Sequence, residues 1–587
     1  LILKLNYSEI QVSAMSQAKK WTLKPVREET VLQVRQDLNI HPALSRLLAL
    51  RGITNFDNAR RFFRPSLTHL HNPYLMKGMK EAVDRIDRAI NNGEKIRVYG
   101  DYDVDGTTSV AVVYSFLKKN SPSPGQLSFY IPHRYREGYG VSFDGIDDAA
   151  SEGCTLMIAL DCGIKSVDKV LYAREKGIDF IICDHHLPDK VMPDAVAILN
   201  PKQKDCNYPY KELSGCGIGY KLISALGEKW QLPAEAVSCY LDLVATSIAA
   251  DIVPMDGENR VLAYYGIKNA NEKPCLAIKT LKEISAINRD LTISDLVFVI
   301  APRINAAGRM DDARKAVAFF VEEDPLLSKE MAAALHADNY DRREVDKNMT
   351  DEALSLIQTD TMLTASRATV LFQPHWHKGV VGIVASRLID HYYRPTIVLT
   401  ESNGMVTGSA RSVSGFNIYE AIHECRDLLD NYGGHFFAAG LSMAPGNLPA
   451  FREKFETVVR DTIQPQSLQP EIEIDAEIQL KDITPAFYNI IRQFEPFGPA
   501  NLRPVFLSRN VINNGYSKVV KEMHIRFSIT QYTGGSITGI GFGMADKFDL
   551  VATGLPFDIV YTIDENEWNG TTSLQIKVID IRVAENS

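Results

Sequence analysis

No run of the sequence approaches the roughly 18 consecutive apolar residues that a membrane-spanning helix needs, and no two of its eight cysteines stand as a CxxC pair. The first absence argues against membrane insertion, the second against a zinc knuckle. Cysteines at 154, 162, 183, 206, 216, 239, 275 and 425, several within apolar strand-like runs, suit buried thiols in a reducing cytoplasm better than a disulfide scaffold. An excess of positive charge is also missing. A formal net charge of −9 argues against nonspecific coating of nucleic acid by the whole surface, while leaving room for a locally basic channel. The opening residues lack the basic-then-apolar order of a secretion signal, and residues 1–14, before Met15, read as an upstream extension of the coding sequence.

What is present describes a globular protein: 587 residues, 45% hydrophobic and 23% charged, enough for about three to five domains. Residues 15–92 read as a helical lead-in, with residues 59–64 stopped by Pro65 and apolar residues at 79, 82, 83, 86 and 90 stopped by Gly93. Arg51, Arg60, Arg61 and Arg64 make a local basic excess there, which alone is an ordinary solvated helix face. From 93 to 322 the pattern alternates. Strand-like runs at 96–99, 127–131, 155–160, 179–183 and 196–199 are separated by helical stretches, the signature of a mostly parallel sheet with helices on both faces. Asp324-Pro325 opens residues 323–358, a stretch without further glycine or proline that reads as a rigid connector of one long helix or a helix pair. A second α/β unit follows at 359–466. Strand candidates at 523–530, 536–541, 557–564 and 573–579 then make residues 467–587 a small antiparallel, OB-like β-barrel.

The chemistry lies at the strand ends. Gly100-Asp-Tyr-Asp-Val-Asp-Gly106 sets Asp101, Asp103 and Asp105 at alternate positions after an apolar run, and Asp161-Cys-Gly163 and Asp184-His-His186 follow two others. An Asp-rich turn or a helix cap accounts for any one cluster alone. Three converging clusters need positive charge among them, because unpaired buried carboxylates repel and are costly. In a parallel sheet, ligands sit beyond the carboxyl ends of the strands, where these residues fall. Asp251 offers a fourth carboxylate, although before an apolar pair and Pro254 it reads by itself as a turn residue. Carboxylate and imidazole suit hard or borderline divalent ions, and Cys162 and Cys183 read as packing. Two ions about 3.5 to 4 Å apart would activate water and stabilise the departing oxygen of a phosphodiester. Arg303, Asn305 and Arg309 flank an Ala-Ala-Gly turn able to hold phosphate, or else form a salt-bridged surface turn. In the barrel, His524, Arg526 and Ser528 alternate with Ile525, Phe527 and Ile529, so one face is cationic, as in barrels that hold single strands.

Tyr99-Gly-Asp-Tyr-Asp-Val-Asp-Gly-Thr107, Ile131-Pro-His-Arg-Tyr-Arg-Glu-Gly-Tyr-Gly140, Ala159-Leu-Asp-Cys-Gly163 and Cys183-Asp-His-His-Leu-Pro188 resemble the successive motifs of the DHH phosphoesterase superfamily, continued at 242–254 and 302–310. His377-Lys-Gly379, Gly408-Ser-Ala-Arg-Ser412 and Gly433-Gly-His435 resemble the DHHA1 domain that accompanies it. The resemblance covers nearly the whole chain. With the barrel, it points to the branch that degrades single-stranded DNA from the 5′ end to 5′-mononucleotides in recombination and repair. It implies a DHH lobe at 93–322 joined by the helix to a DHHA1 lobe that closes over it. It also implies two Mn²⁺ or Mg²⁺ ions. Asp103 and Asp105 would contact both, Asp161 would bridge them, and His185 and Asp251 would complete the shell. Asp101 and Asp184 would orient ligands. His186 would face the substrate phosphate, while Arg411 and His435 would hold the 5′ end. A monomer served by a helicase and a single-strand-binding protein is implied in the same way. Two other readings remain. A phosphatase or oligonucleotidase for short substrates would lack the connector and barrel, and a non-catalytic replication scaffold would have lost carboxylates.

Overall fold

The computed structural model describes residues 19–568 and 571–584, so the expectation for residues 1–14 lies outside the described residues. The five apolar runs become strands β1 (Lys95–Gly100), β2 (Leu127–Tyr130), β3 (Cys154–Leu160), β4 (Asp179–Cys183) and β5 (Ala197–Leu199). All pairings are parallel, in the order β2-β1-β3-β4-β5. Alternation within each strand feeds two cores. Leu156, Ile158 and Leu160 pack with Val110, Val113 and Ile218 on one face, while Met157 and Ala159 meet Ile146, Val170 and Ala173 on the other. Of the helices around this sheet, α1 (Val104–Asn120), α2 (Gly215–Lys229), α3 (Leu241–Ala250) and α4 (Ala301–Met310) bear on the site. Among the described residues, no helix is long and apolar enough to cross a membrane.

The expected connector at 323–358 is one continuous helix from its third residue onward, α5 (Pro325–Thr359), rather than a pair. Residues 23–339 with 474–587 form one compact unit and residues 340–473 the body of another, the division falling within α5. The second unit holds β6 (Thr369–Phe372), α6 (Val381–His391), β7 (Thr396–Ser402), β8 (Met405–Arg411), β9 (Asn431–His435) and β10 (Ala438–Met443). Its sheet runs β9-β10-β8-β7-β6, parallel only between β6 and β7.

The C-terminal strands are β11 (Ala476–Glu477), β12 (Phe506–Asn513), β13 (Lys518–Val520), β14 (His524–Gln531), β15 (Ser536–Gly541), β16 (Phe557–Trp568) and β17 (Thr571–Val583). Their order is β11-β12-β16-β17-β15-β14-β13, and an added β12–β14 pairing closes the barrel. Two pairings, β11–β12 and β15–β17, are parallel, so the barrel is not antiparallel throughout. The N-terminal helices also depart from a simple lead-in. Helices Glu28–Leu38, Pro42–Leu50 and Phe56–Phe63 bury Val34, Leu44, Leu47 and Leu48 in one core with Phe487, Phe506 and Ile559 of the barrel region.

Candidate metal centre and phosphate-binding residues

Strand register builds the site. Gly100 pairs with Leu160, Leu160 with Cys183, and Cys183 with Leu199, so Asp101, Asp161, Asp184 and Asn200 stand one step beyond a single row of strand ends. The order β2-β1-β3 reverses direction at β1, and the carboxylates follow β1 and β3, the switch point where a doubly wound sheet opens its crevice. Asp161 has φ +60, and its backbone N–H donates to the Cys183 carbonyl at 2.8 Å. Room for its side chain comes from Gly215, where a Cβ would lie 2.6 Å from the Asp161 Cβ and 2.7 Å from its Oδ1.

Asp103 caps α1 by accepting from the Gly106 N–H at 3.0 Å. Asp105 accepts from the first N–H groups of α2, Gly215 at 2.7 Å and Cys216 at 2.8 Å, and from the Ser247 hydroxyl on α3 at 2.7 Å. A carboxylate there is favoured by the positive end of the helix. Asp251 ends α3. His185 Nε2 lies 3.2 Å from Asp161 Oδ1, 3.5 Å from Asp251 Oδ2 and 3.9 Å from Asp105 Oδ2. The ligand atoms of Asp105, His185 and Asp251 lie within 4.8 Å of one another, as do those of Asp161, His185 and His186.

These groups fit divalent cations. Asp101 Oδ2, Asp161 Oδ1, Asp251 Oδ2 and both ring nitrogens of His185 are buried without a hydrogen-bond partner. Burial, then neighbouring carboxylates, pushes Asp101, Asp103 and Asp161 above the usual range and Asp251 up to about 9. Burial also lowers His185, keeping its imidazole neutral and its lone pair open to a metal. Asp184 behaves differently: burial alone would raise it, but hydrogen bonds from His186 and the Ile164 N–H bring it below the usual value. It accepts from Ile164 at 2.9 Å and lies 2.7 Å from His186 Nδ1, which turns His186 Nε2 towards the Tyr139 hydroxyl at 3.1 Å.

Asp101, Asp105, Asp161, Asp184, His185 and Asp251 are thus brought together, with Asp103 at the first turn of α1 and His186 at the rim. Sequence reasoning passed over Tyr139, an exposed residue whose ring packs edge-on beside His186, and Arg134, whose guanidinium lies 4.7 Å from the Tyr102 ring centre. The motif 131–140 contained both, but nothing in a loop pattern marks which of its side chains turns inward. Arg303, Asn305 and Arg309 lie on α4, so the expected Ala-Ala-Gly turn is helix. Gly308 serves close packing instead: a Cβ there would meet the Tyr102 carbonyl at 2.8 Å. Arg303 Nε donates to His336 Nδ1 at 3.3 Å, and the Arg309 carbonyl accepts from the Tyr135 hydroxyl.

In the second unit, Arg411 on β8 and His435 on β9 are both opposite Ala438 of β10, which places the two side chains on one face of the sheet. Arg411 Nη1 donates to the Ser409 hydroxyl at 2.6 Å. Gly434 permits the hairpin, since a Cβ there would lie 2.3 Å from the Ala438 carbonyl, whereas Gly433 faces open space. On the barrel, Phe527 is core and Arg526 is exposed, opposite Lys518 and Ile540.

Family models match along the chain in this order: the DHH family, N-terminal domain, at residues 95–248, the DHHA1 domain at 365–461 and the RecJ OB domain at 474–580. Fold and site together define a DHH/DHHA1 phosphoesterase. The single-stranded-DNA-specific exonuclease RecJ of Bacillus subtilis (strain 168) is 36% identical over 571 residues, 96% of this chain and 71% of that protein. RecJ of Escherichia coli (strain K12) is 33% identical, covering 92% and 96%. RecJ from Thermus thermophilus, solved in complex with Mn²⁺, superposes with a TM-score of 0.82 at 26% identity, covering 97% of this chain and 80% of that one. The chain belongs to the RecJ family of single-stranded-DNA-specific exonucleases.

Proposed function

We propose that the chain removes 5′-mononucleotides stepwise from the 5′ end of single-stranded DNA, as a cytoplasmic monomer in recombination and repair, on strands supplied by a helicase and met in company with a single-strand-binding protein. It is a metal-dependent nuclease. The observation that carries the reading is the set of buried, unpartnered oxygens of Asp161 and Asp251 around the neutral His185. Asp103, Asp105, Asp161, His185 and Asp251 would hold two divalent ions, Mn²⁺ or Mg²⁺. Such ions supply a hydroxide-like nucleophile at neutral pH and neutralise charge on the leaving oxygen.

The chain's own groups then divide the remaining work. Asp101 and Asp184 orient, Asp184 by fixing Nδ1 of His186 so that Nε2, which lies beside the Tyr139 hydroxyl, would meet a phosphate oxygen there. Arg303, Asn305 and Arg309 bind strand phosphates, Arg411 and His435 the 5′ terminus, and Arg526 the strand further along. A 3′-labelled strand should shorten progressively, while a 5′ label appears at once in mononucleotide. Internal cuts, or fast turnover of pyrophosphate and dinucleotides with little on long strands, would reject the proposal.

A further inference from the structure

We infer that Arg260 is a positioning residue which, through the barrel's entry segment at 493–501, holds the Asp251 carboxylate in the metal centre. This rests on Asp251 being a metal ligand. Arg260, on the helix Gly257–Glu272, is only 4% exposed, yet its guanidinium makes no ion pair among the described residues. It donates to backbone carbonyls: Phe494 at 2.7 Å, Gln493 at 3.2 Å, Pro496 at 3.4 Å, and Phe62 at 3.2 and 3.3 Å. Its only other support among the described residues is the Phe62 ring, whose centre lies 3.8 Å from the guanidinium carbon, and burying a cation without a counter-charge is a costly way to fill space. What it accomplishes is to tie the barrel's entry segment to the helix that follows Asp251.

The short turn between Asp251 and that helix is anchored at both ends. The Asp251 N–H donates to the Ser247 carbonyl at 3.0 Å, and the Met255 N–H donates to the Pro499 carbonyl at 2.7 Å. Between them Ile252 sits at φ +60 and is 74% exposed. A β-branched residue rarely adopts that conformation, which persists where surrounding contacts impose it. Ile252 has no burial to reward it. Released from Pro499 and Arg260, the turn would relax, and Asp251, one residue away, would leave the geometry that brings its Oδ2 within 3.5 Å of His185.

The test is Mn²⁺ binding to the metal-free full chain, with free Mn²⁺ read by electron paramagnetic resonance and folding checked by circular dichroism. Arg260→Lys keeps the charge and loses the fork. Asn501→Ala, which removes donations to Phe494 at 2.8 Å and Pro496 at 2.9 Å, loosens the segment from the barrel side. Both should weaken Mn²⁺ binding about ten-fold, as loss of groups supporting a ligand does. Turnover of a dinucleotide should fall with them and recover in excess Mn²⁺. Unchanged Mn²⁺ affinity in a folded variant overturns the inference. Asp251→Asn separates the two readings: normal Mn²⁺ binding there removes Asp251 as a ligand and the inference with it, whereas weakened binding there with normal binding in the other two removes the inference alone. Should Arg260→Lys not fold, Asn501→Ala decides.

Discussion

Asp161 is the residue at which charge and backbone can be separated. Its positive φ is tolerated by asparagine, so Asp161→Asn should keep the fold and strand binding while reducing single-turnover hydrolysis by more than about 100-fold, beyond the loss typical of a supporting group. Near-normal turnover in saturating Mn²⁺ would remove it from the centre. Asp251 yields a pH prediction. Burial and Asp105 raise it from 3.8 to about 9, so its contribution to folding is intact below the ordinary value and is lost as pH rises towards about 9. The metal-free protein should therefore lose stability over that window. Mn²⁺, which needs the ionised form, should raise the melting temperature more near pH 8 than near pH 6. At this scale the sequence was informative where carboxylates alternate after an apolar run, as at Asp101, Asp103 and Asp105. It was silent on Tyr139 and Arg134, whose positions depend on how a loop folds over other strands.

Among the elements, α2 does most to shape the centre, because its first two N–H groups clasp Asp105 while Gly215 makes room for Asp161. Gly215→Ala would place a methyl 2.6 Å from the Asp161 Cβ. It should leave helix content unchanged and weaken Mn²⁺ affinity by about ten-fold or more, measured by titration, since a ligand is displaced rather than removed. Wild-type affinity would show that Asp161 can shift without cost. All five strands of the first sheet were legible as apolar runs bounded by turns. Strand β12 was not, since its register slips between Ser508 and Val511 and the alternation breaks there. The Ala-Ala-Gly stretch misled for a related reason: glycine signals a turn by default, whereas Gly308 answers to the carbonyl of a residue some two hundred positions earlier.

For the whole molecule, the three successive regions could be read from changes in periodicity. That the N-terminal helices complete the barrel's core could not, because burial of Val34 and Leu47 against Phe487 and Phe506 leaves no local trace. Deleting residues 474–587 alone should therefore expose that apolar face and cause aggregation, visible by light scattering. Deleting residues 19–66 as well should lessen it. A soluble truncation should bind long strands more weakly and with a shallower dependence on salt than the full chain, since fewer backbone phosphates are neutralised.

The shared core of the N-terminal helices and the barrel also sets a timetable for synthesis. The helices between residues 28 and 63 leave the ribosome early, yet their partners at 476–581 arrive only after the catalytic sheet, the long helix and the second lobe have been made. At about 5 to 20 residues per second, that is a wait of tens of seconds or more with an apolar surface uncovered. Chains stalled short of residue 474 should show these helices open to brief proteolysis while the parallel sheet already resists it, and completing the barrel should be the slow, last step to the native state.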